Sequence, residues 1–458
     1  MTEHHQGYQR ALGFLWRRSA YERGLITAPA RSREEAALGQ VRTRALLDAL
    51  GAPDRGQAIL HVTGSKGKGS TVAIASAITM SAGKKTGRFT SPHLHSYRER
   101  IAIDDEPVSE SAFVRLANLV EEAAGLLERS RPELGSVNTF ELLTAMGLLA
   151  FAEARCAATI LEVGVGGEFD PTNVVAPTAC AITRIDLEHT AILGSTYEAI
   201  ATTKSGIVKS GVPVAVGPMP SEAREAIARR AASVGAPMLV AGRNWSVEGP
   251  WDEVRVAGPW GEVGPLRLGL PGAYQLENAG TACMACWLLD DEIGKSALAE
   301  GLATARWPGR FEIVERSGIT YVLDGAHTPA AAEALASAMR ERFPGQRAQL
   351  VFGCSSDKNM KGVLDPLIAV AERVIATRSV HPRSAAPEEI AELARRSSVP
   401  VETAPNVAAA MDLAGAGTLV LVTGSLFAVA EGREWLGLAE ADIPWGPWLG
   451  SGEPAPLR

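Results

Sequence analysis

The sequence predicts an α/β protein of two domains, each built on a mostly parallel sheet with helices on its faces, the first larger than the second. Three observations carry this expectation. The chain has 458 residues, more than a single core of ordinary size holds. Short apolar runs alternate with segments of helical periodicity along most of its length, the pattern of parallel strands joined through helices. One stretch, IleLeuHisValThrGlySerLysGlyLysGlySerThr at residues 59–71, passes from an apolar run through a glycine-rich turn into an alanine-rich helix.

That strand, turn and helix have the geometry of a phosphate-binding loop. Gly64, Gly67 and Gly69 let the backbone turn tightly and bring N–H groups to an anion. The helix start adds the positive end of its dipole. Lys68 supplies a mobile cation for the outer phosphates, and Ser70 or Thr71 a hydroxyl; Ser65 and Lys66 complete the loop. The spacing differs from the common Gly-x-x-x-x-Gly-Lys-Ser/Thr form, being shorter and having an extra glycine after the lysine. A plain glycine-rich turn is the competing reading, but three glycines, a lysine and two hydroxyls in this context favour a phosphate.

Composition bounds the function. Hydrophobic residues make up 46% and charged residues 21% of the chain, which suits a soluble globular protein. A formal net charge of -7 argues against a nucleic-acid binder held by phosphate neutralisation, yet leaves room for small anionic substrates. The five cysteines sit in apolar runs; Cys283 and Cys286 fall in a helical pattern without a second pair, so they read as buried helix positions rather than a redox pair. With no basic-then-apolar leader and no membrane-length apolar run, the expectation is a cytoplasmic enzyme.

The elements follow in order. Helical periodicity over 7–23 and 33–50 predicts two helices ahead of the loop, packed beside it. His4 and His5 read as a solvated tail. A short strand ends over 87–90, and Ser91, Pro92 and His93 form a turn beyond it, at the strand end that faces the ligand crevice in an open parallel sheet. Arg98, Glu99 and Arg100 read, on their own, as an exposed charge run. Helices are expected over 110–128 and 138–155, then a strand over 159–163 in which Glu162 is a carboxylate among apolar residues. Burying it calls for a cation or a charge partner. A further strand over 181–185 precedes His189. Ser91, Glu162 and His189 thus stand at three strand ends and suit a magnesium ion, although histidine is an uncommon magnesium ligand. Lys204 and Lys209 lie near a helix end, where the simple reading is compensation of the helix dipole. Residues 214–240 read as strand, helix, strand, residues 244–270 as a β-hairpin region, and 272–289 as a helix. The domain boundary is expected between residues 297 and 298, giving domains 1–297 and 298–458. In the second, strands are predicted over 311–316, 319–323, 350–353, 373–377, 400–402 and 418–423, and helices over 330–343, 360–371, 386–396, 406–414 and after Ser425. The tail over 443–458 reads as irregular.

With these motifs in hand the chain resembles one family, the folylpolyglutamate synthase/dihydrofolate synthase family of the Mur ligase superfamily. The resemblance rests on HisValThrGlySerLysGlyLysGlySer from His61, ThrSerProHisLeu from Thr90 with ArgGluArgIle from Arg98, and LeuGluValGlyValGlyGly from Leu161 with AspProThrAsn from Asp170. It continues through LeuGluHisThr from Leu187, LysSerGlyIleValLys from Lys204, TrpProGlyArg from Trp307, AspGlyAlaHis from Asp324 and ValThrGlySer from Val422. They stand in family order over nearly the whole chain. The resemblance implies a Mur-ligase-type ATPase domain followed by a Rossmann-like C-terminal domain. It implies an ATP-dependent ligase that activates a folate or dihydropteroate carboxylate as an acyl phosphate, which the amino group of L-glutamate then attacks. It places ATP on Gly64, Ser65, Lys66, Gly67, Lys68, Gly69, Ser70 and Thr71, with Asn278 near the base and Arg310, Asp324 and His327 as further nucleotide contacts. It places magnesium, as two ions, near Ser91, Glu162, His189 and Lys204, the last open to carbamylation. Lys68, Glu162, His189 and Lys204 are the implied catalytic set. Ser91, Pro92, His93, Arg98, Arg100, His381 and Ser425 are implied on the substrate side. A monomer without nucleic-acid or membrane partners is expected.

Three positions depart from the family pattern: Thr328 stands where Asn is common, Thr203 where Glu is common, and Glu168 where many relatives carry Arg. None removes a reacting group, so they bear on substrate preference. Two alternatives remain beside the folate ligase. A cell-wall amino-acid ligase would be expected to carry a large sugar-nucleotide domain ahead of the loop, and only 63 residues precede Gly64. A non-catalytic ATP-binding paralogue would not need Lys68, Glu162, His189 and Lys204 together. Dihydrofolate synthesis, polyglutamylation, or both remain open, with the bifunctional enzyme favoured.

Overall fold

Ile59–Thr63 (β1) and Ala158–Glu162 (β5) are buried at every position on both faces, which only a strand covered by helices on both sides can be. They lie at the centre of the first sheet in the computed structural model, which describes residues 3–19, 32–415 and 418–442. The other strands of that sheet are Thr86–Phe89 (β2), Ile101–Ile103 (β3), Glu106–Pro107 (β4), Ala179–Ile182 (β6), Val214–Val216 (β7) and Met238–Val240 (β8). Their order is β4-β3-β2-β5-β1-β6-β7-β8. The six strands from β2 to β8 run parallel, and β3 and β4 add an antiparallel edge.

The helix after the phosphate loop, Lys68–Ser81, is buried continuously from Ser70 to Thr79. Its alanines permit this, because another helix, Lys295–Thr304, packs against it with Gly301 meeting Ile78; a Cβ there would lie 2.5 Å from the Ile78 Cα. That contact ties residues 295–304 to the first unit. The described residues accordingly divide after Ala305, later than the expected 297/298 boundary: one compact unit holds those up to 93, 97–269 and 276–305, and a second holds 94–96, 270–275 and those from 306 onward. Helices Glu3–Arg17 and Arg33–Ala49 pack against Glu110–Ser130 and Thr139–Glu153. The first ends at Arg17, and residues 20–23 of the expected helix lie outside the described residues, as does the 443–458 tail. The expected hairpin region is a three-stranded antiparallel sheet of Ser246–Glu248 (β9), Val254–Gly258 (β10) and Gly261–Leu266 (β11).

The second unit holds Glu312–Arg316 (β12), Ile319–Leu323 (β13), Ala348–Phe352 (β14), Ala371–Ala376 (β15), Val401–Thr403 (β16) and Leu419–Thr423 (β17). Their order is β12-β13-β17-β14-β15-β16, parallel except for the β12–β13 hairpin. Two apolar layers, one around Leu335, Leu350 and Leu364 and one around Val407, Val420 and Val429, cover its faces. Cys283 and Cys286 are fully buried in the helix Tyr274–Leu289, and all five cysteines are free. Among the described residues no helix is long and apolar enough to cross a membrane.

Candidate active site

The phosphate loop leaves β1 through Gly64, whose φ is +154°; a Cβ would stand 1.8 Å from the Thr183 Oγ1. Only glycine fits that passage. The loop is then fastened to the chain beyond β6. The backbone N–H groups of Ser65 and Lys66 both donate to the Arg184 carbonyl, at 2.8 and 3.2 Å. Ser65 Oγ donates to the Asp186 carbonyl at 2.9 Å, and Thr183 Oγ1 to the Lys66 carbonyl at 2.7 Å. The strand predicted to Ile185 stops at Ile182, beyond which the Arg184 and Asp186 carbonyls serve the loop. Gly67, at φ +86°, precedes the helix without a side-chain cap, and a Cβ on it would lie 2.0 Å from the Asn278 Oδ1. The first intrahelical bond runs from the Thr71 N–H to the Gly67 carbonyl at 2.8 Å. The N–H groups of residues 67–70 therefore carry the helix's anion-binding end, with Asn278 against it.

Two lysines converge on that loop. Lys68 Nζ donates to the Gly64 carbonyl at 2.8 Å and Lys204 Nζ donates to the same oxygen at 2.9 Å. Lys204 is 1% exposed, so it is not the solvated dipole-compensating residue that its place near a helix end suggests. Its second partner is Glu188 Oε1 at 3.0 Å. Burial, and then the charge of Lys68, pull the Lys204 ammonium down to about 8, against the opposing pull of Glu188. Burial favours the neutral form of Glu188, but Lys68, Lys204 and Lys66 outweigh it and hold the carboxyl below its ordinary value. Lys209 donates instead to the Asn173 carbonyl at 3.0 Å.

Of the expected magnesium ligands, Ser91 and Glu162 are brought together: the Ser91 N–H donates to Glu162 Oε2 at 3.1 Å. Glu162 is 3% exposed. His189 is exposed, in the left-handed region at φ 46°, and opens the short helix Thr190–Leu193. Among the described residues no three His, Cys, Asp or Glu side chains gather into a ready-made metal cage. One buried carboxylate beside a hydroxyl fits magnesium all the same, since that ion keeps waters and takes one or two carboxylates plus phosphate oxygens.

The expected charge run is not solvated. Arg100 is 3% exposed; its Nε donates to His93 Nδ1 at 2.9 Å and its guanidinium lies 5.2 Å from the Tyr97 ring centre. The His93 proton consequently sits on Nε2. Arg98 donates to the Tyr8 hydroxyl and to the Val108 carbonyl, each at 3.3 Å. Both arginines brace the segment that follows Ser91, Pro92 and His93.

In the second unit Arg310, Asp324 and His327 form one group. Asp324 Oδ2 accepts the Phe311 N–H at 2.8 Å and Oδ1 the Ala326 N–H at 2.9 Å. Burial pushes its carboxyl up, against the pull of Arg310 and these two donors. Arg310 Nη1 donates to the Gly309 carbonyl at 3.2 Å, and His327 Nδ1 lies 2.8 Å from the Gly325 carbonyl oxygen. Ser425 caps Leu426–Trp435, its Oγ accepting the Ala428 N–H at 3.1 Å. His381 stacks on Phe427 with ring centres 4.0 Å apart, and burial followed by Arg383 lowers its pKa to about 4.

Comparison with known proteins fits this arrangement. Residues 309–426 match the family described as Mur ligase, glutamate ligase domain. The dihydrofolate synthase/folylpolyglutamate synthase of Bacillus subtilis is 32% identical over 87% of this chain and 95% of its own. The chain belongs to the folylpolyglutamate synthase/dihydrofolate synthase family. Solved relatives share its fold. The folylpolyglutamate synthase of Thermotoga maritima superposes with a TM-score of 0.84 at 32% identity, covering 97% of this chain and 100% of its own. E. coli FolC, in complex with DHPP and ADP, gives 0.76 at 32% identity over 86% and 92%. This family member is an ATP-dependent acid–amino-acid ligase.

The three departures from the family pattern are accommodated locally. Thr328 caps the helix Pro329–Arg342 in place of Asn, its Oγ1 accepting the Ala331 N–H at 3.4 Å. Glu168 pairs with Arg33, and Thr203 Oγ1 bonds back to the Ala199 carbonyl at 3.3 Å. Sequence reading missed three groups. Glu188 is the residue before the histidine singled out, and an acid six places past the end of β6 carries no periodicity. His61, on β1, is fully buried with Nε2 2.9 Å from Thr172 Oγ1, which donates to Asp170 Oδ1 at 2.6 Å; the signal was a histidine inside an apolar strand. Glu312 and Arg433 form a pair 121 residues apart in sequence.

Proposed function

We propose that this ligase catalyses both family reactions, adding the first glutamate to dihydropteroate and extending the glutamate tail of folates, with the loop residues 67–70 and Lys68 holding the ATP phosphates. The observation that supports this reading is the uncapped N-terminus of the helix Lys68–Ser81, with Lys68 and Lys204 at its mouth on one carbonyl oxygen. In the reaction a substrate carboxylate oxygen attacks the γ-phosphorus and ADP leaves. The amino nitrogen of L-glutamate then attacks the acyl carbon, loses a proton and expels inorganic phosphate. Lys68 exchanges the Gly64 carbonyl for a phosphoryl oxygen and offsets the charge that grows there.

Asn278 stands beside Gly67 on the nucleotide side, and Arg310, Asp324 and His327 supply the second unit's nucleotide contacts. Ser91, Pro92, His93, Arg98 and Arg100 frame the pterin side, and His381 and Ser425 the glutamate side. Magnesium would be held by Glu162, with Ser91 and His189, and would neutralise phosphoryl charge. A second ion would require Lys204 to exchange its ammonium for a carbamate, which a ¹³C-bicarbonate carbonyl signal on the purified protein would reveal. The free cysteines suit a reducing cytoplasm, and a monomer is the state we expect.

The test is phosphate release by the purified protein with ATP and magnesium, with and without L-glutamate, offering dihydropteroate and tetrahydrofolate separately. Glutamate-dependent release with both acceptors supports the bifunctional reading. Release with one alone narrows it to that step, and none with either moves the substrate to another carboxylate.

A further inference from the structure

The turn that carries Arg310 is strained, and it is held from both sides. Gly309 has φ +68° and Phe311, a buried β-substituted residue, has φ +47°. A non-glycine residue in that region persists only where its surroundings over-determine it. Two carboxylates do so here. Asp324 accepts the Phe311 N–H at 2.8 Å, and Glu312 Oε2 accepts the Gly309 N–H at 2.8 Å. The Gly309 carbonyl is fixed in turn by the Gly325 N–H at 3.0 Å and by Arg310's own Nη1 at 3.2 Å. Behind Glu312 stands Arg433, 8% exposed, whose Nη1 donates to Glu312 Oε1 at 2.5 Å. One carboxylate therefore links a buried cation on the helix Leu426–Trp435 to the backbone one residue before Arg310.

We propose that Glu312 and Arg433 are positioning residues for nucleotide binding, acting through Arg310 by fixing the 309–311 turn. The inference rests on the reading of Arg310 as a nucleotide contact. Without Arg433, Glu312 becomes a part-buried carboxylate lacking its cation and turns toward water, which releases the Gly309 N–H and lets Arg310 swing from its set direction. Of the two carboxylates, Asp324 then remains to hold a turn that costs energy to keep.

The test measures ADP affinity by calorimetry on the full chain, with the melting temperature as a control. Arg433→Met raises the dissociation constant roughly tenfold, about one charge-assisted hydrogen bond. Arg433→Lys, which keeps the cation, restores most of it. In an Arg310→Ala background Arg433→Met adds less than about twofold, because the effect runs through the missing guanidinium. Glu312→Ala, which removes the acceptor for the Gly309 N–H, gives the same loss and the same dependence on Arg310 should Arg433→Met not fold. An unchanged constant in Arg433→Met while Arg310→Ala weakens binding overturns the proposal, as does an equal loss in both backgrounds. An unchanged constant in Arg310→Ala overturns the reading of Arg310 itself, and the proposal with it.

Discussion

Replacing Gly67 by alanine tests whether the mouth of the phosphate loop is shaped as described. The substitution has two separable costs. Alanine at φ +86° loses about 1–2 kcal/mol to the left-handed backbone. Its Cβ would also stand 2.0 Å from Asn278 Oδ1 and 2.9 Å from Asn278 Cγ, so the amide must retreat by roughly an ångström, off its rotamer, for about 0.5–1.5 kcal/mol more. Together they come to about 1.5–3.5 kcal/mol. Asn278→Ala alone forfeits the bonding of a buried amide, about 1 kcal/mol. In the double variant the overlap vanishes, and only the backbone term and the amide loss remain. The double variant should therefore be more stable than the sum of the singles by about 1 kcal/mol. Urea unfolding of the four proteins measures this. Losses that add to within about 0.5 kcal/mol would show that Gly67 and Asn278 do not meet and would undo the described loop geometry.

Other outcomes follow from the same site. Lys68→Ala should keep the melting temperature within a few degrees and lower turnover by roughly 10²-fold or more, the scale for removing one charge-stabilising donor; a phosphate-release assay reads it, and near-normal turnover contradicts the phosphate role. Glu188→Gln leaves two ammonium groups on the Gly64 carbonyl without a counter-charge, and with Lys204 buried it should cost about 3 kcal/mol in urea unfolding. Acid sensitivity should include a contribution from His61, whose pKa burial, followed by Lys209, lowers from 6.5 to about 3. The unfolded chain binds that proton first, so the stabilising contribution is complete above pH 6.5 and falls away as pH drops toward 3. His61→Gln should flatten the melting temperature over that window, and an unaltered pH profile would count against a buried neutral imidazole.

Most strands and helices were legible because the parallel sheets print their burial onto the sequence: β1, β5 and β17 are buried at all five positions and mostly apolar, with no alternating solvent face to confuse them. The strand, glycine turn and helix of residues 59–81 were legible for the same local reason, since the glycines, lysine and hydroxyls are consecutive. Loss of legibility begins where a residue's role depends on distant chain. Lys204 near a helix end looks like dipole compensation until Gly64, 140 residues earlier, is placed on it. Arg98 and Arg100 look solvated until Tyr8 and His93 take their donors. The helix Lys295–Thr304 falls on the expected domain break and joins the first unit by packing along Lys68–Ser81, with Gly301 closest at Ile78, which no periodicity reveals.

The shared carbonyl of Gly64 has a consequence for how affinity is to be understood. If the loop takes a phosphate as proposed, that phosphate does not find an idle cation; it competes with a carbonyl oxygen for Lys68. Because Lys204 remains on that oxygen, Lys68 can depart without leaving a buried acceptor bare. On the proposed reading, nucleotide binding is an exchange of partners, and its free energy is a difference between two bonds of similar kind. Lys204 can then tune nucleotide affinity without touching the nucleotide, and whatever weakens its hold on Gly64 should tie Lys68 more firmly to the empty loop.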